Sequence, residues 1–389
     1  MPKGATMRLI IRGGLWLGLY LTMVLFPLLA GAVLIDPADS PFFAINLSAA
    51  LGYIGLALMA AELALVSRLD GASGAFGLDS LLQFHRQIGI ASLGFVAAHP
   101  ILLVAAGAYR PGILVPSVDM PWPVSVGVLA FVATLLVVGL SVLRRRIRLS
   151  YEAWQVTHGA LSILLIVAAG AHILGIGRFA ALPVMQAIWG VYLGVFLGLF
   201  VRYKFVRPLM LLRKPWEVAE NRPELGNSRT VTLRPVGHEG FSFEPGQFAW
   251  INFGRSPFSL SQHPISFSSN GEKAKGGTIA FTIKDLGDWS GEVIPAVSPG
   301  TCAWVDGPYG VFTVDREEGP GYVLIGGGVG ITPLYSMILA LETRGDVRPI
   351  YLFHGANEAG ELIFRDEIAA LDDRMDNLTV VTVLVDSDE

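Results

Sequence analysis

The sequence predicts a multidomain chain: a six-helix transmembrane bundle, then an antiparallel β-barrel, then an α/β half-sheet. Three observations predict this order. Charge is scarce and unevenly spread, four histidines recur at one spacing inside the apolar part, and a glycine-rich turn joins a strand-like to a helix-like segment near the C-terminal end. Of the 389 residues, 52% are apolar and 15% charged, where a soluble domain carries about 25% charge. Residues 1–203 hold 12 Lys+Arg and 7 Asp+Glu, whereas residues 204–389 hold 16 and 25. The first half therefore has membrane composition, and the second reads as soluble and acidic. A single soluble domain and a pure membrane bundle are both excluded. The acidic second half argues against nucleic-acid binding, which needs basic surface. Cys302 is the one cysteine, so disulfide frameworks, thiolate zinc sites and Cys-ligated iron–sulfur clusters within the chain are excluded.

Apolar runs of about 20 residues match a hydrocarbon core of roughly 30 Å. Six occur, at about 13–35, 43–66, 84–108, 123–143, 154–176 and 184–203. Flanking cations orient them. Lys3, Arg8 and Arg12 precede the first, Arg144, Arg145, Arg146 and Arg148 follow the fourth, and Arg202, Lys204 and Arg207 follow the sixth. If all six cross the bilayer, these cations share one side. The opposite loops are poor in Lys and Arg: Asp36–Pro41 has none, Tyr109–Pro121 has Arg110, and the last has Arg178. Both termini are thus predicted cytoplasmic. The first span has a second reading as a signal peptide, with a basic start and Ala30-Gly31-Ala32 near its end. Its removal would leave five spans in the same orientation.

The four histidines of residues 1–203 all fall inside predicted spans, His85 and His99 in the third, His158 and His172 in the fifth, and each pair is 14 residues apart. Fourteen residues turn an α-helix about 1400°, roughly 40° short of four turns, and rise about 21 Å. Both members of a pair therefore lie on one helix face at two depths. The third and fifth spans run in the same direction, which sets His85 level with His158 near the cytoplasmic side and His99 level with His172 near the outer side. Two stacked sites result, each with an imidazole from either helix. Haem ligation wants this arrangement, because an iron with two axial imidazoles needs two neutral histidines facing across a gap. Two such haem b sites form an electron path across a bilayer. The competing reading is that each histidine hydrogen-bonds a neighbouring helix or relays protons; the repeated spacing on co-directional spans favours haem. Arg86, beside His85, suits a haem propionate or simply snorkels to the interface.

From about Lys214 the pattern turns to short alternating strands with Gly/Pro turns: Thr230–Pro235, Gln247–Asn252, Pro264–Ser269, Thr278–Ile283 and Thr301–Asp306. These predict a small antiparallel barrel. After Gly319-Pro320 the period changes. Tyr322–Ile325, Pro349–Phe353 and Leu378–Val385 read as strands, separated by a helix to about Arg344 and another over Ala359–Asp372. That is βαβαβ, half of a doubly wound sheet. The predicted domains are 1–203, 207–318 and 319–389. Thr332 and Pro333 follow the turn Gly326-Gly327-Gly328-Val329-Gly330 and read as N-cap and first helical residue. Glycines let backbone approach a diphosphate, and a helix start offers N–H groups. The turn departs from G-x-G-x-x-G, with Ile331 at the third Gly position, and such turns also serve packing.

A histidine-paired bundle followed by barrel and half-sheet resembles the bacterial ferric reductase and NADPH-oxidase-like family, in which a ferric-reductase-type transmembrane domain is fused to a ferredoxin-reductase-type flavin module. Four motifs carry the resemblance. His263-Pro264-Ile265-Ser266-Phe267-Ser268-Ser269 is similar to the family's H-P-[FI]-[ST]-x-[ST]-S flavin strand. It implies Ser266 at the reactive edge of the flavin as the catalytic residue, His263 near the FAD phosphates, and Pro264, Ser268 and Ser269 as further FAD contacts. Lys284-Asp285-Leu286-Gly287-Asp288-Trp289-Ser290 resembles the next phosphate-contact segment, with Gly287 and Ser290 in the contact positions. Asp306-Gly307-Pro308-Tyr309-Gly310 is like the turn that ends the flavin domain. Gly327-Gly328-Val329-Gly330-Ile331-Thr332-Pro333 is similar to the family's pyridine-nucleotide loop, implying contacts from Gly327, Gly328, Gly330, Thr332 and Pro333.

There are two departures from the family pattern. The family usually places an Arg after the second nucleotide-domain strand to hold the 2′-phosphate of NADPH; here the stretch reads Phe353-His354-Gly355-Ala356-Asn357, so either NADPH or NADH fits. The family also continues for about fifty residues with a C-G-P motif beside the nicotinamide, whereas this sequence ends at Glu389, making the nucleotide domain partial. Cys302 is expected to be a small core residue. The resemblance implies hydride delivery to FAD in the cytoplasm, then single electrons through the two haems to a ferric chelate or dioxygen outside a bacterial inner membrane. The lipid bilayer is a partner, and a periplasmic protein is a candidate one. Two other readings stay open: an electron-relay subunit serving such a protein, and a non-enzymatic sensor with a degenerate nucleotide domain.

Overall fold

The computed structural model describes residues 3–35, 42–115, 119–177, 180–254, 256–260, 262–273, 276–316 and 319–385. The predicted outer loop Asp36–Pro41 and Arg178 lie outside the described residues. The chain divides into two compact units, one made of Leu9–Ala72 with Leu78–Lys204, the other built mainly on Phe205–Glu389.

The first unit is helical. Its elements are α1 (Lys3–Leu34), α2 (Phe43–Val66), the short α3 (Asp70–Phe76), α4 (Leu78–Ala105), α5 (Trp122–Leu143), α6 (Tyr151–Ile176) and α7 (Pro183–Val201). A π-helical turn at Arg202–Val206 leads into α8 (Arg207–Leu211). Among the described residues six helices are long and apolar enough to cross a membrane. The third span starts at Leu78 rather than near 84, because the buried Leu78 and Leu81 carry the helix past Asp79. Pro123 and Pro183 occupy first-turn positions of α5 and α7, where a missing N–H costs nothing. Ser150 caps α6, its Oγ accepting from the Ala153 N–H at 3.2 Å, and Gly177 ends it at φ 68°. Helix α2 packs along α4, and α5 along α6. Close approach needs glycine: a Cβ at Gly55 would stand 2.7 Å from Val96, and one at Gly175 2.4 Å from the Trp122 ring. Tyr53, Ala57, Ala133, Ile166, Met185 and Trp189 fill the bundle interior, while Leu15, Val132 and Val191 face outward.

The second unit begins with a curled antiparallel sheet of β1 (Trp216–Glu224), β2 (Ser228–Pro235), β3 (Phe248–Phe253), β4 (His263–Ser266), β5 (Ile279–Lys284) and β6 (Cys302–Tyr309), in the order β4-β3-β6-β1-β2-β5. Its edges meet at one bridge, Phe267 to Phe281. Strand β1 is absent from the sequence expectation: it is rich in Glu and Asn and holds Pro223, so its alternation is weak. It pairs along its whole length with β2 because Gly226 (φ 67°) and Asn227 (φ 51°) both take the left-handed conformation that reverses the chain. Trp216, Leu233, Ile251, Phe267 and Phe281 form the core inside the curl. After the short α9 (Ile294–Ala296) and β6, the half-sheet runs β7 (Tyr322–Gly327), α10 (Ile331–Arg344), β8 (Ile350–Ala356), α11 (Arg365–Asp372) and β9 (Leu378–Leu384), with three parallel strands in register Tyr322 to Ile350 to Leu378. Helix α11 is shorter than predicted because Ala359–Glu361 forms a 3-10 turn and Phe364 sits at φ 60°. Barrel and half-sheet belong to one unit. Ser336 Oγ donates to the Ser269 carbonyl at 2.7 Å, and Asn270 Nδ2 donates to the Leu339 carbonyl at 3.0 Å.

Candidate functional site: two imidazole pairs in the bundle

The bundle brings the four histidines together as two pairs. Ring centroids of His85 and His158 are 6.3 Å apart, and those of His99 and His172 are 6.1 Å apart, with planes inclined at 75° and 72°. A metal ion bonded to an imidazole nitrogen at about 2.0–2.1 Å lies about 3.2 Å from the ring centroid, so one ion shared by two rings wants centroids about 6.2–6.4 Å apart. The His85–His158 pair meets that spacing, and the His99–His172 rings, at 6.1 Å, stand slightly closer. Among the described residues there is no cluster of three or more His, Cys, Asp or Glu that could hold a metal ion. Any ion here would take two protein ligands and the rest from a non-protein chelator.

Each ring is held through its Nδ1, and the partners identify the tautomer. His172 Nδ1 is 2.7 Å from the Pro123 carbonyl, and His99 Nδ1 is 2.9 Å from the Ser48 carbonyl. A carbonyl only accepts, so both Nδ1 atoms carry the proton. Ser141 donates its hydroxyl proton to the Val137 carbonyl at 2.6 Å. Its oxygen therefore accepts from His158 Nδ1 at 3.1 Å and from Trp154 Nε1 at 3.1 Å. His85 Nδ1 pairs with the carboxylate of Glu62. In each ring Nδ1 is occupied by an oxygen partner, leaving Nε2 as the nitrogen available to a metal, and an outer partner that fixes ring orientation is what metal-bound imidazoles require.

Space is arranged around the rings as well. A Cβ on Gly127 would stand 2.5 Å from His172 Nδ1, and one on Gly52 would stand 3.2 Å from His99 Nδ1. His99 and His172 line a largely apolar cavity with Gly52, Gly127, Phe131 and Thr134, enclosing about 1100 Å³ of atom-free space including its open mouth. Sequence reasoning missed Glu62, Ser48, Pro123, Ser141 and both glycines. Only Glu62 leaves a sequence signal, as the single acid in the apolar run Phe43–Val66.

In the second unit the flavin-strand residues separate into two groups. The Ser266 hydroxyl is half-buried and makes no hydrogen bond among the described residues, Pro264 is exposed, and His263 stacks on Trp289 with centroids 3.8 Å apart. Gly287 is open. Ser268 is buried inside the curl, with its Oγ accepting from Thr282 and its N–H donating to the Ala280 carbonyl. The hydroxyls of Ser269, Ser290 and Thr332 are likewise engaged, Ser269 with the Ala280 N–H, Ser290 with Leu286 and Gly287, and Thr332 with the Val329 carbonyl. Cys302 is also half-buried rather than core, and burial together with the Glu217 carboxylate pushes its thiol above the ordinary range, which disfavours the thiolate.

At the glycine turn, Gly328–Gly330 forms a 3-10 turn and Gly330 is the N-cap, so α10 starts at Ile331, before Thr332 and Pro333. Gly326 is required by packing, since a Cβ there would meet Leu334 at 2.8 Å, whereas Gly330 faces open space. The Lys284 ammonium reaches this turn, 4.0 Å from where a Cβ on Gly328 would lie and 4.0 Å from Glu361 Oε2. His354, on β8 opposite Gly326, is buried with no hydrogen-bond partner for Nε2, and burial pushes it below its ordinary value.

Residues 51–169, which contain all the histidine pair members except His172, match the family model described as the ferric reductase like transmembrane component. Residues 324–389 match the oxidoreductase NAD-binding domain. The chain joins a ferric-reductase-like transmembrane domain to an oxidoreductase NAD-binding domain. Among curated relatives, it is 30% identical over 160 residues to the propane 2-monooxygenase reductase component of Rhodococcus jostii (strain RHA1), covering 41% of this chain and 42% of that protein. It is 34% identical over 137 residues to the sulfhydrogenase 2 subunit gamma of Pyrococcus furiosus, covering 34% and 44%. The chain thus spans less than half the length of these two relatives. Among solved structures, the cytochrome P450 reductase of Amycolatopsis overlays 44% of this chain and 51% of its own, at 24% identity and a TM-score of 0.39.

Proposed function

We propose that the chain is a transmembrane oxidoreductase that takes electrons from NAD(P)H on the cytoplasmic side and passes them through FAD and two b-type haems to an acceptor beyond the membrane. One observation carries this reading. Four histidines form two ring pairs with centroids 6.3 and 6.1 Å apart, and each ring has an oxygen partner at Nδ1, which leaves Nε2 available to a metal. His85 and His158 would hold one haem, and His99 and His172 the other. When bound, FAD supplies the conversion from a two-electron hydride donor to one-electron carriers, which the haems then relay.

The chain's own residues bind and orient these groups. The unengaged Ser266 hydroxyl and exposed Pro264 offer a face for FAD, with His263 and Gly287 toward its phosphates. Gly327, Gly328 and Gly330 let a dinucleotide approach the start of α10, and Lys284 brings a cation to its diphosphate. Beyond β8 stand Asn357, Glu358 and Glu361, with Asn357 Nδ2 donating to Glu361 at 3.0 Å. A 2′-phosphate would meet carboxylates there, so NADH should be the better donor. If His99 and His172 both hold the haem of their level, an acceptor would receive electrons without bonding iron, which suits a ferric chelate or dioxygen.

The test is a spectrum and an assay on purified protein. Two haems per chain with low-spin bands are expected, reduced by NADH faster than by NADPH, with ferric citrate and oxygen compared as acceptors. His172→Ala should lose one haem and keep flavin reduction. A folded, colourless preparation from haem-replete cells would refute the proposal.

A further inference from the structure

The four Nδ1 partners are chemically unequal. Three are neutral: the carbonyls of Ser48 and Pro123 and the hydroxyl of Ser141. The fourth is the Glu62 carboxylate. Glu62 is buried, at 7% exposure, near the end of an apolar span that contains no other charged residue. An ionisable group inside a span is expensive and calls for a specific partner. Among the described residues its carboxylate has one polar partner, His85 Nδ1.

We propose that Glu62 is a positioning residue that aims His85 Nε2 at His158 and gives that level the lower midpoint potential of the two. The inference rests on the bis-haem reading above. A carboxylate draws the Nδ1 proton further than a carbonyl does, because hydrogen bonds to a charged acceptor are about twice as strong as neutral ones. The ring gains imidazolate character, its Nε2 becomes a stronger donor, and the oxidised iron is favoured over the reduced. The negative charge acts in the same direction in a low-dielectric interior. The two levels, alike in histidine spacing, are thereby made electrically unequal. An electron arriving at the His85–His158 level moves downhill to the His99–His172 level, which gives the path a direction.

The experiment is an optical redox titration of the full-length, haem-loaded protein, following the α band. The unmodified protein should show two separate one-electron waves. Glu62→Gln keeps an oxygen acceptor for His85 and removes the charge. It should retain both haems and raise the lower wave so that the electron-sharing ratio between levels changes at least about tenfold, or about 59 mV for one electron, while the upper wave stays put. Glu62→Asp, which keeps the charge, should restore the lower wave toward its original position. Two bound haems with neither wave moved by Glu62→Gln, or movement of the upper wave alone, would overturn the proposal and leave the bis-haem reading standing. If Glu62→Gln fails to assemble, His99→Ala decides: the haem left behind should titrate at the lower midpoint, and the higher midpoint there overturns the proposal. A haem-free wild-type preparation would refute the underlying reading itself.

Discussion

The two imidazole pairs differ in everything except their spacing. The His99–His172 pair is held by two main-chain carbonyls, with the Ser48 hydroxyl also 2.9 Å from His99 Nδ1, and stands in clearances that only glycine permits, at Gly52 and Gly127. The His85–His158 pair is held by side chains, Glu62 and Ser141, with Trp154 packed on His158 at a centroid distance of 5.2 Å. A carbonyl on a helix cannot be mutated away, whereas a side-chain acceptor can. One level is therefore built to be sterically exact and electrically neutral, the other to be electrically adjustable. Repeated spacing sets where a ligand stands; neighbouring helices decide what kind of ligand it is.

That contrast can be broken most sharply at Gly127. Gly127→Val places carbon where His172 must lie, so the haem content should fall from two to one per chain, with the haem of the His85–His158 level kept. Equal loss of both haems from a folded protein would show that the levels are not independent. A smaller effect is expected from Ser141→Ala, which removes the acceptor shared by His158 and Trp154. Haem retention at that level should weaken about 10–100-fold, measured by titration with haem, and the other level should be unaffected.

The smallest effect concerns a histidine that has no such partner. Buried His354 is pushed below its ordinary value by desolvation. Below about pH 6.5 the unfolded chain binds a proton there that the folded chain does not. Since stability rises with pH wherever the unfolded state holds more protons, the half-sheet should lose stability as pH falls from about 6.5, at no more than about 1.4 kcal/mol per pH unit. Hydrogen exchange along β8 should report this, and His354→Leu should flatten the slope. The membrane histidines, each already donating through Nδ1, provide the contrast.

Much of this architecture is legible in local pattern. The six apolar runs, the glycine turn and the barrel strands each declare themselves within about twenty-five residues or fewer. The missed strand β1 shows where local pattern stops. Trp216–Glu224 looks polar and broken by Pro223, and becomes a strand because a Gly226-Asn227 reversal delivers β2 alongside it. Ser268 shows a detail that local pattern cannot supply: the curl of the sheet turns it inward to Thr282.

The sequence by itself determined the apolar spans, the depth at which each histidine stands and the order of bundle, barrel and half-sheet, because these follow from helical pitch, strand alternation and transfer of apolar groups out of water. Only the tertiary structure decided which oxygen each Nδ1 meets. All four partners, at Ser48, Pro123, Glu62 and Ser141, come from other helices, and Ser141 lies nearest in the chain to its histidine. Contacts of that kind depend on how helices rotate and approach one another, and no periodicity within a single helix encodes them.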